Sequence, residues 1–536
     1  MAERGSRRRE ALGMLGRRAI GLLALGAALC VGAAASLWAA SPASAATKAA
    51  NDSSIVIGSS VAPPSLDPTS NAAAAIDEVF DYNVYQHLAQ LSPNGKIVPT
   101  LASSWTLSKT GTVYTFTLRH GVTFSNGDPL TPSDVVYSID RVIAPGSQYP
   151  YKDLWTGLVK SAVASGSDKV VVTLAHRDWE WLYTLAAYSN GEVLDPSAVA
   201  SIATHPVGTG PFAFTGYVPN YSVTLVRNPR YWGPAPKVAK VEFRYFSTPN
   251  AEISALRGGQ IDIIDNLPVP QSVSSLRSAG FTVDIGPTSG KVQLTLNDAY
   301  GPLRKQAVRQ AISYALTKKA MDQAAEAGYG RIIGSDSVPG DPYFLAKLAH
   351  LYPHSVAKAK KLLAKAGYPH GFSLELVLPP YPYAKADGPV VAAELKQIGI
   401  DVTLSNIQWP LWLSKVFEAG DFQSTIIDHA EARDISNYTN PKYYWHYADT
   451  REVTALLTEG NEAPTQAQWV ADYEKAETLI AHQAVNVWFF NLPEITVAKR
   501  DIVGLPHGSL SESFQLSALQ IGGKLGAQER RLGFTS

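Results

Sequence analysis

Two hydrophobic periods interleave along nearly the whole of this chain, and no other feature restricts its fold as much. Tyr114, Phe116 and Leu118 alternate with Thr115 and Thr117, the period of two that marks a half-buried strand. Val223 and Leu225 alternate with Ser222 and Thr224 in the same way, and Val241, Phe243 and Tyr245 repeat the pattern. Helical spacing appears further on. Val308, Ala311, Ile312, Ala315 and Leu316 recur at i, i+3 and i+4, which leaves Arg309 and Lys318 off the apolar face. Ser355 as N-cap and Gly367 as C′ bracket a second helix through Leu362 and Leu363. Trp469, Val470, Tyr473, Ala476, Leu479 and Ile480 mark another. Strands and helices interspersed from end to end predict an α/β fold of mixed sheets covered by helices.

The first 45 residues read as a segment apart. Arg7, Arg8, Arg9, Arg17 and Arg18 precede an apolar stretch over 19–37, Ser41-Pro42 breaks it, and Ala43-Ser44-Ala45 offers a small-x-small cleavage pattern. This predicts a signal peptide over 1–45; a membrane anchor would need about 20 strongly apolar residues instead. The paired arginines are compatible with twin-arginine export. Cys30 is the chain's single cysteine, and Leu29 before it is larger than a lipid-attachment site accepts. A free exported protein beginning at Ala46 is expected, cysteine-free and therefore without disulfides or thiolate chemistry.

Cleavage leaves 491 of the 536 residues, a length for two or three domains. Removing the leader's six Arg, Glu3 and Glu10 from 46 basic and 46 acidic residues leaves 40 against 44. That balance argues against nucleic acid or an anionic membrane surface as partner.

Residues 79–141 carry the first motifs. They contain Val98-Pro99-x-Leu101-Ala102-x-Ser104-Trp105, Phe116-x-Leu118-Arg119, Gly121-Val122-x-Phe124 and Asp134-Val135-Val136-Tyr137. Asn126-Gly127 is a turn signal and Thr131-Pro132-Ser133-Asp134 opens a helix. Further on stand Leu66-Asp67-Pro68, Gly208-Thr209-Gly210-Pro211-Phe212, Tyr231-Trp232-Gly233, Ile261-Asp262, Ala366-Gly367-Tyr368 and Ile398-Gly399-Ile400. In this order and spacing the chain resembles the peptide/opine/nickel class of extracellular solute-binding proteins, family 5, over essentially its whole mature length. The resemblance implies two lobes joined by a hinge, with a solute captured between them for an ABC-type importer. It places an outer domain at 81–196 and a first lobe in 46–80, 197–286 and 485–536. A second lobe would fill 287–484. The expected partners are a peptide, opine-like or other small polar solute and the importer's permease subunits in the inner membrane, the protein itself being a periplasmic monomer.

Motifs that suggest catalysis fail on their surroundings. Gly208-Thr209-Gly210 lacks the Gly-Lys-Ser/Thr of a phosphate loop and reads as a tight structural turn. His350 and His354 have zinc-pair spacing but enclose Pro353 and lack the Glu. His429-Ala430-Glu431 matches a deaminase His-x-Glu without the Pro-Cys-x-x-Cys it needs. No catalytic residue, metal or cofactor is expected. A sensor or chaperone role, or a hydrolase of the same solute, are the other classes the chain leaves open.

In peptide-binding members of the family, a Trp-x-x-Asp segment pairs the solute's α-ammonium group. Without gaps, His429 stands at the Trp and Ala432 at the Asp, so Glu431 or Asp434 serves only after a shift. Arg433 suits a carboxylate or phosphate. The resemblance adds Trp409, Tyr149, Tyr151 and Trp488 as pocket candidates, and the nearby Tyr444 as an aromatic wall. The competing expectation is that the charges of this segment pair with one another.

Overall fold

The computed structural model describes residues 53–71 and 73–535, so the leader and Cys30 lie outside the described residues. An eleven-stranded mixed sheet forms the backbone of the molecule. Its two longest strands, Thr282–Leu296 and Asn486–Ala498, lie side by side at the centre. On one flank follow Ser424–His429, Phe372–Leu378 and Ile400–Asn406; on the other Ile263–Ile264, Ser54–Ser59, Lys240–Tyr245, Ser222–Arg227 and Phe212–Val218; the eleventh strand, Arg331–Ile332, pairs with Asn486–Ala498 off this path.

The central pair changes register between Pro287 and Lys291. Before that break it pairs 282–287 with 493–498; after it, 291–295 pairs with 486–491. The apolar residues on the two sides of the break join different cores. On one side Ile263 packs with the N-terminal strands and Ile264, Ile495 and Val497 pack with the helices Pro249–Arg257 and Val273–Ser278, whereas on the other Val292, Leu294, Phe489 and Phe490 pack with the helices Gln306–Ala315 and Pro382–Lys396. One pair of strands thus links two apolar cores through an irregular waist.

A separate four-stranded antiparallel sheet, in the order Ala102–Leu107, Val113–Leu118, Lys169–Leu174, Val159–Ser165, has its own core running from Leu88 to Val193. The helix Pro132–Ile143 covers it. The Asp134 carboxylate accepts the Thr131 backbone N–H at 2.7 Å, as the Thr-Pro-x-Asp pattern predicts. The strands expected around Tyr114, Val223 and Val241 are present, as are the helices Val356–Lys365, capped by Ser355, and Gln466–Gln483. Gly208 and Gly210 face the backbone of Asn83 and Val84, where a Cβ would sit 2.0 and 2.4 Å from carbonyl oxygens. They are structural glycines.

Arg309 departs from expectation. It lies within the buried part of its helix, 3.3 Å from Asp298, and donates to the carbonyls of Leu303, Gln483 and Ala484. Five donors in a rigid fork let the guanidinium satisfy a cluster of helix-end carbonyls that hydrophobic periodicity does not register. Lys318 belongs to the next helix, Lys318–Glu326. Among the described residues no helix is long and apolar enough to cross a membrane.

Candidate functional site

The sheet strand Ser424–His429 runs out into a short loop, and that loop builds one wall of a cavity of about 520 Å3. The other wall comes from the segment that carries the four-stranded sheet, through Tyr151, Asp178, Glu180, Trp181, Tyr183 and Tyr188. Arg433 turns the loop: its φ of +53° is left-handed, a conformation that costs a non-glycine residue of the order of 1 kcal/mol or more.

Ion pairs make up for that strain. The Arg433 guanidinium lies 3.1 Å from Glu180 and 3.2 Å from Asp341, and 3.6 Å above the ring of Tyr183. Burial raises the Glu180 carboxyl to about 7, with Arg433 pulling the other way. Asp434 accepts from the Lys291 ammonium at 2.6 Å and from Asn437 at 3.0 Å, with His429 Nδ1 at 3.5 Å. Burial disfavours its charge, yet Lys291 and His429 outweigh burial and hold it well below the usual carboxylate range. Lys291 also donates to the Glu431 carbonyl at 2.6 Å. Both walls are stitched further by the Tyr188 hydroxyl, which donates to the Ala432 carbonyl at 2.7 Å.

Tyr151, Glu431, Arg433 and Asp434 therefore come together on the cavity lining. His429 and Tyr444 sit directly behind it, joined Nε2 to hydroxyl at 2.7 Å. Tyr149, Trp409 and Trp488 are not among the lining residues. Tyr149 is in the four-stranded sheet's core and its hydroxyl accepts from Arg141, Trp409 stacks on Trp412 at 4.9 Å, and Trp488 is buried 6.1 Å from Tyr438. Their apolar area is consumed by packing. Glu431, with a side chain 53% exposed, is the loop's acid that keeps open access to water.

Lys291, Glu180, Asp341 and Asp178 belong to the site without having been legible as such. Lys291 does leave a trace, as a lone cation at the head of the apolar-alternating Val292 to Leu296 run. His429, Glu431 and Asp434 have ligand atoms within 4.8 Å of one another and so have metal-ligand spacing. The fit is poor, because the Lys291 ammonium already occupies Asp434. Acids that exceed cations, and the rings of Tyr151, Trp181, Tyr188, Phe417, Tyr443 and Tyr473, suit a polar solute with a positive group.

The family model for bacterial extracellular solute-binding proteins, family 5 middle region, matches residues 96–453. The chain is 29% identical over 345 residues to the nickel-binding periplasmic protein of Escherichia coli (strain K12), covering 60% of this chain and 65% of that protein. It is 27% identical over 333 residues to the glutathione-binding protein GsiB of Salmonella typhimurium, covering 61% and 64%. The matches thus span under two thirds of those relatives' lengths. The periplasmic binding protein DppA of Helicobacter pylori, solved with the peptide STSA, superposes with a TM-score of 0.76 at 23% identity, over 90% of this chain and all of that one. The fold is that of two-lobed periplasmic binding proteins. These relatives are binding proteins rather than enzymes.

Proposed function

The chain belongs to the bacterial extracellular solute-binding proteins of family 5, and from that premise we propose that it is the exported receptor of an ABC importer. It captures a small polar solute, peptide-like or opine-like, and hands it to permease subunits in the inner membrane. The leader over 1–45 directs export to the periplasm. The segments 46–80, 197–286 and 485–536 act as the first lobe, 81–196 as its outer domain and 287–484 as the second lobe. Solute binds without chemical change.

One observation carries this reading: a cavity whose walls come from two separate stretches of chain, near 150–188 and 431–443, tied by the Arg433–Glu180 pair. A solute held there touches both walls only when they meet, so it favours the closed arrangement. Native mass spectrometry of protein purified without refolding tests it. The expected result is one small solute per chain, released unaltered. Protein that carries nothing and is stabilised by no compound of a peptide and opine library contradicts the receptor reading.

A further inference from the structure

At the waist between the two cores lies a second, more open pocket of about 200 Å3, and its lining is chemically one-sided. Five carboxyl residues face it: Glu78, Asp265, Asp428, Glu494 and Glu512. No Lys, Arg or His lines it. The volume far exceeds the roughly 10–15 Å3 that a single water requires. It borders the first cavity through consecutive residues, since Asp428 and Ala430 line this one and Glu431 and Ala432 the other.

Four of the five carboxyls have an oxygen that is buried and without a hydrogen-bond partner: Glu78 Oε1, Asp265 Oδ2, Asp428 Oδ1 and Glu494 Oε2. Asp265 and Glu494 are only 4% and 6% exposed. Buried carboxyls without donors are costly, and proteins keep few of them. Protein donors reach only part of this set: the Asn266 backbone N–H donates to Asp265 Oδ1 at 2.5 Å, and the Ser509 hydroxyl is close enough to hydrogen-bond to Glu494. The Thr288 hydroxyl donates to the Leu492 carbonyl at 2.7 Å and the Ser289 hydroxyl to the Ala430 carbonyl at 2.6 Å, so both offer the cavity acceptors alone. Local geometry keeps the acids where they are. A Cβ on Gly290 would lie 2.6 Å from Asp428 Oδ1, and Glu512 holds a left-handed φ of +61°. Burial raises Glu494 and Glu512 to about 8, and Glu78 and Asp265 are close enough to hydrogen-bond, which requires a shared proton.

We propose that this cavity binds an organic cation with separated positive groups, of the short linear diamine class, as the positively charged part of the receptor's cargo. The ammonium groups would supply the donors that one oxygen each of Asp265, Glu494, Asp428 and Glu78 lacks, and Ala74, Ala430 and Leu492 would pack on the alkyl chain. A single metal ion fits less well. Among the described residues, the acid and histidine groups compact enough for one ion are Asp81–His87–Glu192 and His429–Glu431–Asp434, which include none of the five. A ligand here would touch Glu78 and Glu512 from one side of the waist and Asp428 from the other, and so would hold the two cores together. The inference rests on the receptor reading and names its cargo class.

Calorimetric titration of the full chain, first dialysed free of solute, tests the proposal with 1,4-diaminobutane, 1,4-butanediol and calcium chloride. The diamine should bind one to one, while the diol, of equal length and no charge, and calcium give no heat. Glu494→Gln and Asp265→Asn, which keep shape and remove charge, should each weaken the diamine at least tenfold and leave the melting temperature at or above that of the parent. Calcium binding without diamine binding overturns the proposal, as do amide variants that bind the diamine as tightly as the parent. If the diamine fails while the solute released from native protein still binds, the cargo class is wrong and the receptor reading stands. If neither binds, both fall.

Discussion

The two cavities hold similar numbers of buried acids and treat them in opposite ways. Around the 431–437 loop two cations answer three buried carboxylates, Lys291 on Asp434 and Arg433 shared by Glu180 and Asp341. Across the waist, Asp265 and Glu494 have none. The first arrangement is neutralised from within by Lys291 and Arg433 and fixes the wall of a site. The second is complete only with protons or with a cation from outside. Density of charged residues therefore does not locate a ligand; unpartnered charge does.

Removing one partner from the paired set should have the largest effect. Lys291→Met leaves Asp434 buried without its counter-ion, a loss of about 3–5 kcal/mol. Urea unfolding should show it as a lower midpoint with unchanged slope. Glu494→Gln should show no such loss. Equal midpoints for the two variants would erase the contrast.

Arg433→Met should cost less, about 1.5–3 kcal/mol, the range for hydrogen bonds to charged groups. The discount has a cause: Glu180, already raised to about 7 by burial, can take up a proton once Arg433 is gone. The deficit should accordingly be smaller at pH 6 than at pH 8. An equal deficit at both values would mean that Glu180 stays ionised.

The unpaired acids give the next effect. Burial raises Glu494 and Glu512 to about 8, and Asp428 to about 6. The folded state then binds protons that the unfolded chain has already released, so stability falls as pH rises through these values. Melting temperature should be highest near pH 5 and decline by pH 8. Below pH 4 it should decline again as Asp434, whose folded value is depressed, loses its charge. Addition of 1,4-diaminobutane should flatten the alkaline arm. A profile flat from pH 5 to 8 would show the acids to be paired after all.

Glu431→Gln should be the mildest change. Its side chain is half exposed, and exposed pairs contribute about 0–1 kcal/mol. A loss above 2 kcal/mol would place Glu431 in the buried network instead.

Alternation and capping made much of the architecture legible, because Phe116, Val241 and Ile312 report locally which way a side chain faces. The family motifs supplied the two-lobed arrangement that periodicity alone leaves open. In the site, the segment 429–434 was legible as a cluster of charges, and two of its expected neighbours, Tyr151 and Tyr444, line or back the cavity. The partners of those charges were not legible. Lys291 lies 143 residues from Asp434, and Glu180 lies 253 from Arg433. Such pairings follow from sheet register and core packing, which no local pattern encodes. For the same reason the burial of Arg309, which lies off its helix's apolar face, was not legible, and the waist's five acids, scattered from Glu78 to Glu512, formed no motif at all.

Closure of the receptor on its solute is open to direct measurement by small-angle scattering. Protein dialysed free of solute would be measured before and after the low-molecular-mass fraction released from native protein is restored. A smaller radius of gyration is predicted, with stabilisation of about 2.7 kcal/mol at one hundred times the dissociation constant. An unchanged radius together with an unchanged melting temperature would contradict it.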